Sequence, residues 1–181
     1  MRRQRTTPHE NSFSEDIVGE WERPAEIEPG HEMECDMAKS LVYKKEFFES
    51  RKTKTNLSAA ALVPIVLELI QPKSAIDVGC ATGEWLEVFQ QNGVNEIFGI
   101  DGEYVDRSLL VIPQENFKAL DLSKPFTLDK TYDLAICLEV AEHIAPESAA
   151  NFIESLTQLA PIILFSAAIP FQVGTHHVNE Q

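Results

Sequence analysis

The sequence predicts an α/β fold: a three-layer sandwich in which a mainly parallel sheet is covered by helices on both faces. Three observations carry that expectation. Short continuous apolar runs recur between residues 75 and 166, stretches with apolar residues spaced three and four apart alternate with them, and Gly or Pro marks the junctions. Strands buried on both faces read as unbroken apolar runs. Their alternation with helical patterns argues strand–helix–strand units rather than hairpins.

Residues 1–35 are polar and acidic, with Glu20, Glu22, Glu26, Glu28, Glu32 and Glu34 repelling one another and Pro24 and Pro29 breaking local order. They read as a flexible acidic arm. His31, Glu32, Glu34, Cys35 and Asp36 lie close together in this arm but show no recognised metal-ligand spacing. Residues 36–55 read as a helical lead-in, with Leu41, Val42, Phe47 and Phe48 on the apolar side of a helix over Met37–Ser50. Ser58 offers a cap for a second helix. Its expected apolar stripe is Leu62, Ile65, Val66, Leu69 and Ile70. Pro64 should kink that helix or mark its start, and Pro72 should end it.

The first strand is expected at Ala75–Val78. A helix follows over Glu84–Asn92, with Trp85, Val88 and Phe89 inward and Gly93 as its C-terminal stop. Further strands are expected at Glu96–Ile100, Asn116–Leu120 and Tyr132–Leu138. Pro146 opens a helix with Phe152, Ile153, Leu156 and Leu159 facing the core, and Pro161–Ser166 carries a fifth strand.

At 181 residues and 44% apolar content the chain can hold one domain with a sizeable core. A formal net charge of −14 argues against nucleic acid as partner, because phosphate backbones need clustered Lys and Arg. No unbroken apolar run approaches the ~20 residues a membrane span needs. The residues after the first arginines are polar, which argues against a secretory signal. Cys35, Cys80 and Cys137 are odd in number and widely spaced, which suits a reducing, cytoplasmic setting.

The most informative stretch is Ser74–Gly83, where an apolar strand ends in a turn bracketed by Gly79 and Gly83 and runs straight into a helix. Glycine there permits unusual dihedrals and close backbone approach to a ligand. The helix N-terminus presents free N–H groups to the same place. A glycine pair alone is weak evidence, since many such turns carry one for steric reasons. Two acids sharpen it. Asp101 closes the second strand, where a carboxylate can accept ribose hydroxyls, and Asp121 follows the third, where it can meet the edge of a base.

These residues resemble the class I S-adenosylmethionine-dependent methyltransferases. Asp77-Val78-Gly79-Cys80-Ala81-Thr82-Gly83 looks like their first motif, Ile100-Asp101 like the acidic end of their second strand, and Leu120-Asp121-Leu122 like their adenine-contacting turn. Tyr132 through His143, reading YDLAICLEVAEH, looks like their fourth strand and the Glu-His segment after it. The resemblance covers residues 56–181, which it marks as the methyltransferase domain, and implies a Rossmann-like sheet. It implies that Gly79, Cys80 and Gly83 lie against the methionine part of S-adenosyl-L-methionine and that Asp77 fixes its amino acid end through the turn. It further implies Asp101 on the ribose, Gly102 and Glu103 beside the adenine, Asp121 and the Leu122 N–H on the adenine edge, and Cys137 and Leu138 presenting backbone near the sulfonium. The family often has glycine where this chain has Ala81. A nicotinamide dinucleotide is the competing ligand, but its G-x-G-x-x-G cradle is absent between Gly79 and Gly83.

Methyl transfer from a sulfonium is an in-line displacement, so alignment of acceptor, methyl and sulfur supplies much of the catalysis. For a hydroxyl acceptor a general base adds to this. His176, His143 and Glu139 are the candidates, all expected at the carboxyl edge of the sheet. Each also has a plain structural role open to it: Glu139 as a helix cap or ligand anchor, His143 as a packed histidine, His176 as an exposed loop residue. Paired histidines with Glu139 could hold a divalent metal, but no spacing fixes one, and no metal site is assigned. The resemblance implies a small-molecule or sugar-like acceptor. The family's sheet continues beyond a fifth strand, so the sequence is expected to be truncated there, leaving an uncovered edge open to self-association. The alternative reading is a donor-binding but catalytically silent module that acts through association.

Overall fold

The computed structural model describes residues 45–169, 172 and 177–179, with side chains from Arg51 onward. The acidic arm, most of the Met37–Ser50 helix and His176 fall outside the described residues.

The chain runs α1 (Lys45–Ile70), β1 (Ser74–Val78), α2 (Glu84–Gln91), β2 (Glu96–Asp101), β3 (Phe117–Ala119), β4 (Leu134–Leu138), α3 (Pro146–Thr157) and β5 (Ile163–Ser166). The five strands form one sheet in the order β3-β2-β1-β4-β5, and every pairing is parallel. Ala75 of β1 lies opposite Ile97 of β2 on one side and Leu134 of β4 on the other. The chain winds outward from β1 to β3, then returns to place β4 against the other side of β1. That reversal opens a crevice at the carboxyl ends of β1 and β4.

All five residues of β1 are buried, as an unbroken apolar run in a central parallel strand should be. Alternate residues feed two cores. One joins Ala75, Ile97, Leu134 and Ile136 to Ala59, Val63 and Val66 of α1 and Leu86 and Phe89 of α2. The other joins Ile76, Val78, Ala135 and Cys137 to Phe152, Leu156 and Leu159 in and after α3, and to Phe126 and Tyr132. Each large side chain sealed in this way contributes about 1.5–3 kcal/mol. The open end of β1 is tied to the loop before β4: Lys73 N and Ser74 N donate to Asp133 Oδ2 at 2.7 and 3.1 Å, and Asp133 N donates back to Ser74 Oγ at 3.0 Å. These bonds, the one from Lys73 N foremost, hold the Asp133 carboxyl below its ordinary range.

Several helical expectations need correction. Ser58 caps nothing: α1 is one continuous helix across it and across Pro64, which lies on the exposed side. The buried stripe of α1 is Ala59, Val63 and Val66, whereas Leu62, Ile65 and Leu69 are exposed. Both stripes have helical spacing, and the helix is apolar nearly all round in its second half, so periodicity could not choose between them. The face that packs on α2 and β1 made the choice. In α2, Leu86 rather than Trp85 is fully buried, and in α3 Ile153 faces solvent while Ser155 is buried, accepting a 3.0 Å bond from Phe126 N. Gly93 ends α2 as expected, with φ +99° and its N–H donating to Gln90 O at 3.1 Å.

Within α1, Arg51–Ile70 has the length and composition of a membrane-crossing segment, with mean hydropathy 1.3, where no such length was expected. Its Ala59–Val63–Val66 stripe packs into the domain core. At the opposite edge of the sheet β5 leaves Phe165 45% exposed, and Ile162 just before it 42%.

Candidate active site

A cleft of about 1170 Å³ opens over the carboxyl ends of the strands. Every strand tip contributes to it: the turn after β1, residues 101–104 after β2, 120–123 after β3, 138–140 after β4 and 164–166 of β5. Residues from the first half of α1 form a further wall, with Arg51, Lys52 and Lys54 at its rim. The volume lies at the upper end of the about 300–1,000 Å³ usual for a small-ligand site.

The floor is the turn from Gly79 to Gly83. Gly79 N and Cys80 N donate to Ile100 O at 2.8 and 3.2 Å, which welds the turn to the end of β2. Gly79 and Gly83 both have positive φ, at +81° and +94°. A Cβ on Gly79 would lie 2.4 Å from Val140 Cγ2, and one on Gly83 would lie 2.9 Å from Ile112 Cγ1. The protein's own packing therefore demands both glycines, and Gly83 does not line the cleft. Ala81 also sits at positive φ, +49°, which explains why glycine suits this place.

Asp101 is the polar centre of the floor and is 4% exposed. Its Oδ2 accepts from Ala81 N at 2.7 Å, while Oδ1 accepts from Gly102 N at 2.7 Å and from the Tyr104 hydroxyl at 2.5 Å. The Tyr104 ring lies over Gly102, so close that a Cβ there would fall 2.1 Å from its Cε1. Gly102 and Glu103 line the cleft beside it. Asp121 also lines the cleft, and accepts from Ser123 N and Oγ at 3.0 and 2.6 Å and pairs with Lys124 at 3.3 Å. Partial burial pushes its carboxyl up, but the Ser123 and Lys124 bonds outweigh this and hold it below the ordinary value. Leu122 is buried beneath the same wall.

Two sequence candidates lie behind the wall instead. Asp77 is 3% exposed under the turn, and burial, reinforced by the charges of Asp101 and Glu84, pushes its carboxyl well up. Cys137 is fully buried within β4, and its thiol is likewise pushed up by burial; neither residue lines the cleft, whereas Cys80 and Leu138 do.

Glu139, at the tip of β4, lines the cleft with φ +57°, a strained setting for a side chain of its kind. It accepts from Ser166 Oγ at 2.8 Å, and Gln172 Nε2 lies 3.4 Å from its other oxygen. His143 ends a short 3-10 turn (Ala141–His143), lines the cleft and meets the His177 ring edge-on at 5.4 Å between centroids. Thus Glu139 and His143 share one wall. The sequence reading missed Tyr104, Trp85 and Glu84, all of which line the cleft; Glu84 is buried and takes a 2.5 Å bond from Thr82 Oγ1. A buried acid opening a helix next to a glycine turn was the available signal for Glu84. Tyr104 had none, because only the loop fold returns its ring over Gly102.

Comparison with solved structures places the architecture. The plantazolicin methyltransferase BpumL, solved in complex with a monoazolic desmethylPZN analog and SAH, matches with TM-score 0.54 and 18% identity over 76% of this chain and 53% of that one. A SAM-dependent methyltransferase from Archaeoglobus fulgidus matches with TM-score 0.50 and 20% identity over 70% of this chain and 60% of that one. At such identities the likeness speaks for the fold, and this chain spans little more than half the length of either structure. No curated protein sequence matches the chain. Residues 49–166, from within α1 to the end of β5, match the methyltransferase-domain family, and the chain belongs to it.

Proposed function

We propose that the protein transfers a methyl group from S-adenosyl-L-methionine to a hydroxyl of a small-molecule or sugar-like acceptor, in a cytoplasmic setting. The observation that carries this reading is Asp101 at the end of β2, bonded to the turn after β1 and flanked by Asp121 and Leu122 at the end of β3. That donor and acceptor set fits a nucleoside: a carboxylate for the ribose, and an acidic turn for an amino-bearing base edge. The SAH in the structure of BpumL supports the same cofactor.

The bound donor would supply an already activated methyl group. The chain's own task is alignment, and positioning alone is worth about 7–11 kcal/mol of a bimolecular barrier. Gly79 and Cys80 keep the floor low, and Asp101 anchors the ribose by exchanging its bond from the Tyr104 hydroxyl, the donor of its three that can swing away. On the far wall Glu139 stands where an acceptor hydroxyl would lose its proton, with His143 beside it to contact the acceptor. His176 stays a proposed substrate contact from the sequence. Calorimetric titration with S-adenosyl-L-methionine, followed by methyl-release assays on hydroxylated acceptors, tests this; absence of donor binding by the folded chain overturns it.

The exposed Ile162 just before the edge strand favours a second reading, a donor-binding module that works through association. Donor binding without turnover, together with self-association in sedimentation, would select it.

A further inference from the structure

We propose that Glu142, His143 and His177 form a binding site for a divalent transition-metal cation on the acceptor side of the cleft. One ligand atom from each of the three lies within 4.8 Å of the others. Glu142 is 1% exposed, and its Oε2 has no hydrogen-bond partner among the described residues. An unpaired carboxylate oxygen that deep is costly unless a cation or donor meets it. The two histidines reach the carboxylate from different parts of the chain. His143 comes from the turn after β4, and His177 from the segment after β5. Val178 N and Asn179 N both donate to Glu142 O, at 2.8 and 3.1 Å, which holds residues 177–179 against the turn. Asn179 Oδ1 is a second buried oxygen without a partner among the described residues.

The donor set selects the ion class. Two imidazoles with one carboxylate suit borderline cations such as Zn²⁺, Co²⁺ or Ni²⁺ better than oxygen-seeking Mg²⁺ or Ca²⁺. A tetrahedral shell brings ligand atoms to about 3.3–3.5 Å from each other, so the three would draw together slightly on binding. Three protein ligands leave a position open. His143 lines the cleft, so that position faces the space where an acceptor would sit. The site stands on its own ligands; only its placement beside an acceptor rests on the methyltransferase reading.

The test uses the full chain, stripped with a chelator and then titrated with Zn²⁺ by calorimetry and with Co²⁺ by visible absorption. One equivalent should bind, with ligand-field bands of an imidazole-containing site, and the thermal midpoint should rise with metal. His177→Ala should weaken binding at least about 10-fold, while its affinity for S-adenosyl-L-methionine stays that of the parent. Glu142→Gln is a second variant that should lose most of the metal affinity. Equal metal affinity in the parent and both variants overturns the proposal, as does no binding by a folded parent. Metal binding without donor binding would sink the methyltransferase reading and leave the metal site standing.

Discussion

Gly79→Ala is the sharpest probe of the floor of the cleft. At φ +81° an L side chain suffers the left-handed penalty, about 1–2 kcal/mol. The new methyl would also stand 2.4 and 3.0 Å from the two Cγ atoms of Val140. Overpacking of that kind adds about 1–3 kcal/mol. The expected loss is therefore about 2–5 kcal/mol, or about 4–20 °C in the thermal midpoint of a domain this size. The structure also names the relief. Val140→Ala removes both Cγ atoms, costing about 1.5–3 kcal/mol alone. In the double variant the new methyl occupies part of the vacated space, so its cost should fall short of the sum by about 1–3 kcal/mol. Urea unfolding of the parent and three variants measures this cycle. Additivity within about 0.5 kcal/mol would refute the packing of Gly79 on Val140 and the turn geometry built on it.

Three further outcomes follow from the site. Asp77 sits with its carboxyl raised above 3.8, so the folded state holds its proton longer than the unfolded one, and stability falls as pH rises from 3.8 through the raised folded value. Asp77→Asn, neutral throughout, should melt higher than the parent at pH 8, with the advantage gone below pH 4; an unchanged difference across that range would contradict the burial of a titrating carboxyl there. Asp101→Ala orphans the N–H groups of Ala81 and Gly102, so donor affinity should fall by about 1–3 kcal/mol together with a drop in stability, read by calorimetry and melting. Unaltered donor affinity would show that the ribose is held elsewhere. Cys137 is fully buried with its thiol pushed up, so it should resist alkylation in the native state and react on unfolding; rapid native labelling of it, mapped by mass spectrometry, would show the core around β4 to be open.

The strands and their chemistry were legible from residue order alone. Ala75–Val78, Glu96–Ile100 and Tyr132–Leu138 are short, mainly apolar runs of strand length, and a carboxylate or a glycine turn at the end of such a run is local chemistry. Gly79, Asp101, Asp121 and Glu139 were therefore found where the cleft now has them. Helix faces were not legible in the same way. Along α1 two apolar stripes compete at equal spacing, and only the docking against α2 buries Ala59, Val63 and Val66 and leaves Leu62, Ile65 and Leu69 outside. Contacts between distant segments were equally hidden. His177 meets Glu142 and His143 from beyond β5 in the chain, because side-chain neighbours far apart in sequence are set by how layers stack and not by any repeat along it. Periodicity constrains what each element can bury, while the three-dimensional packing decides what it does bury and which functional groups converge.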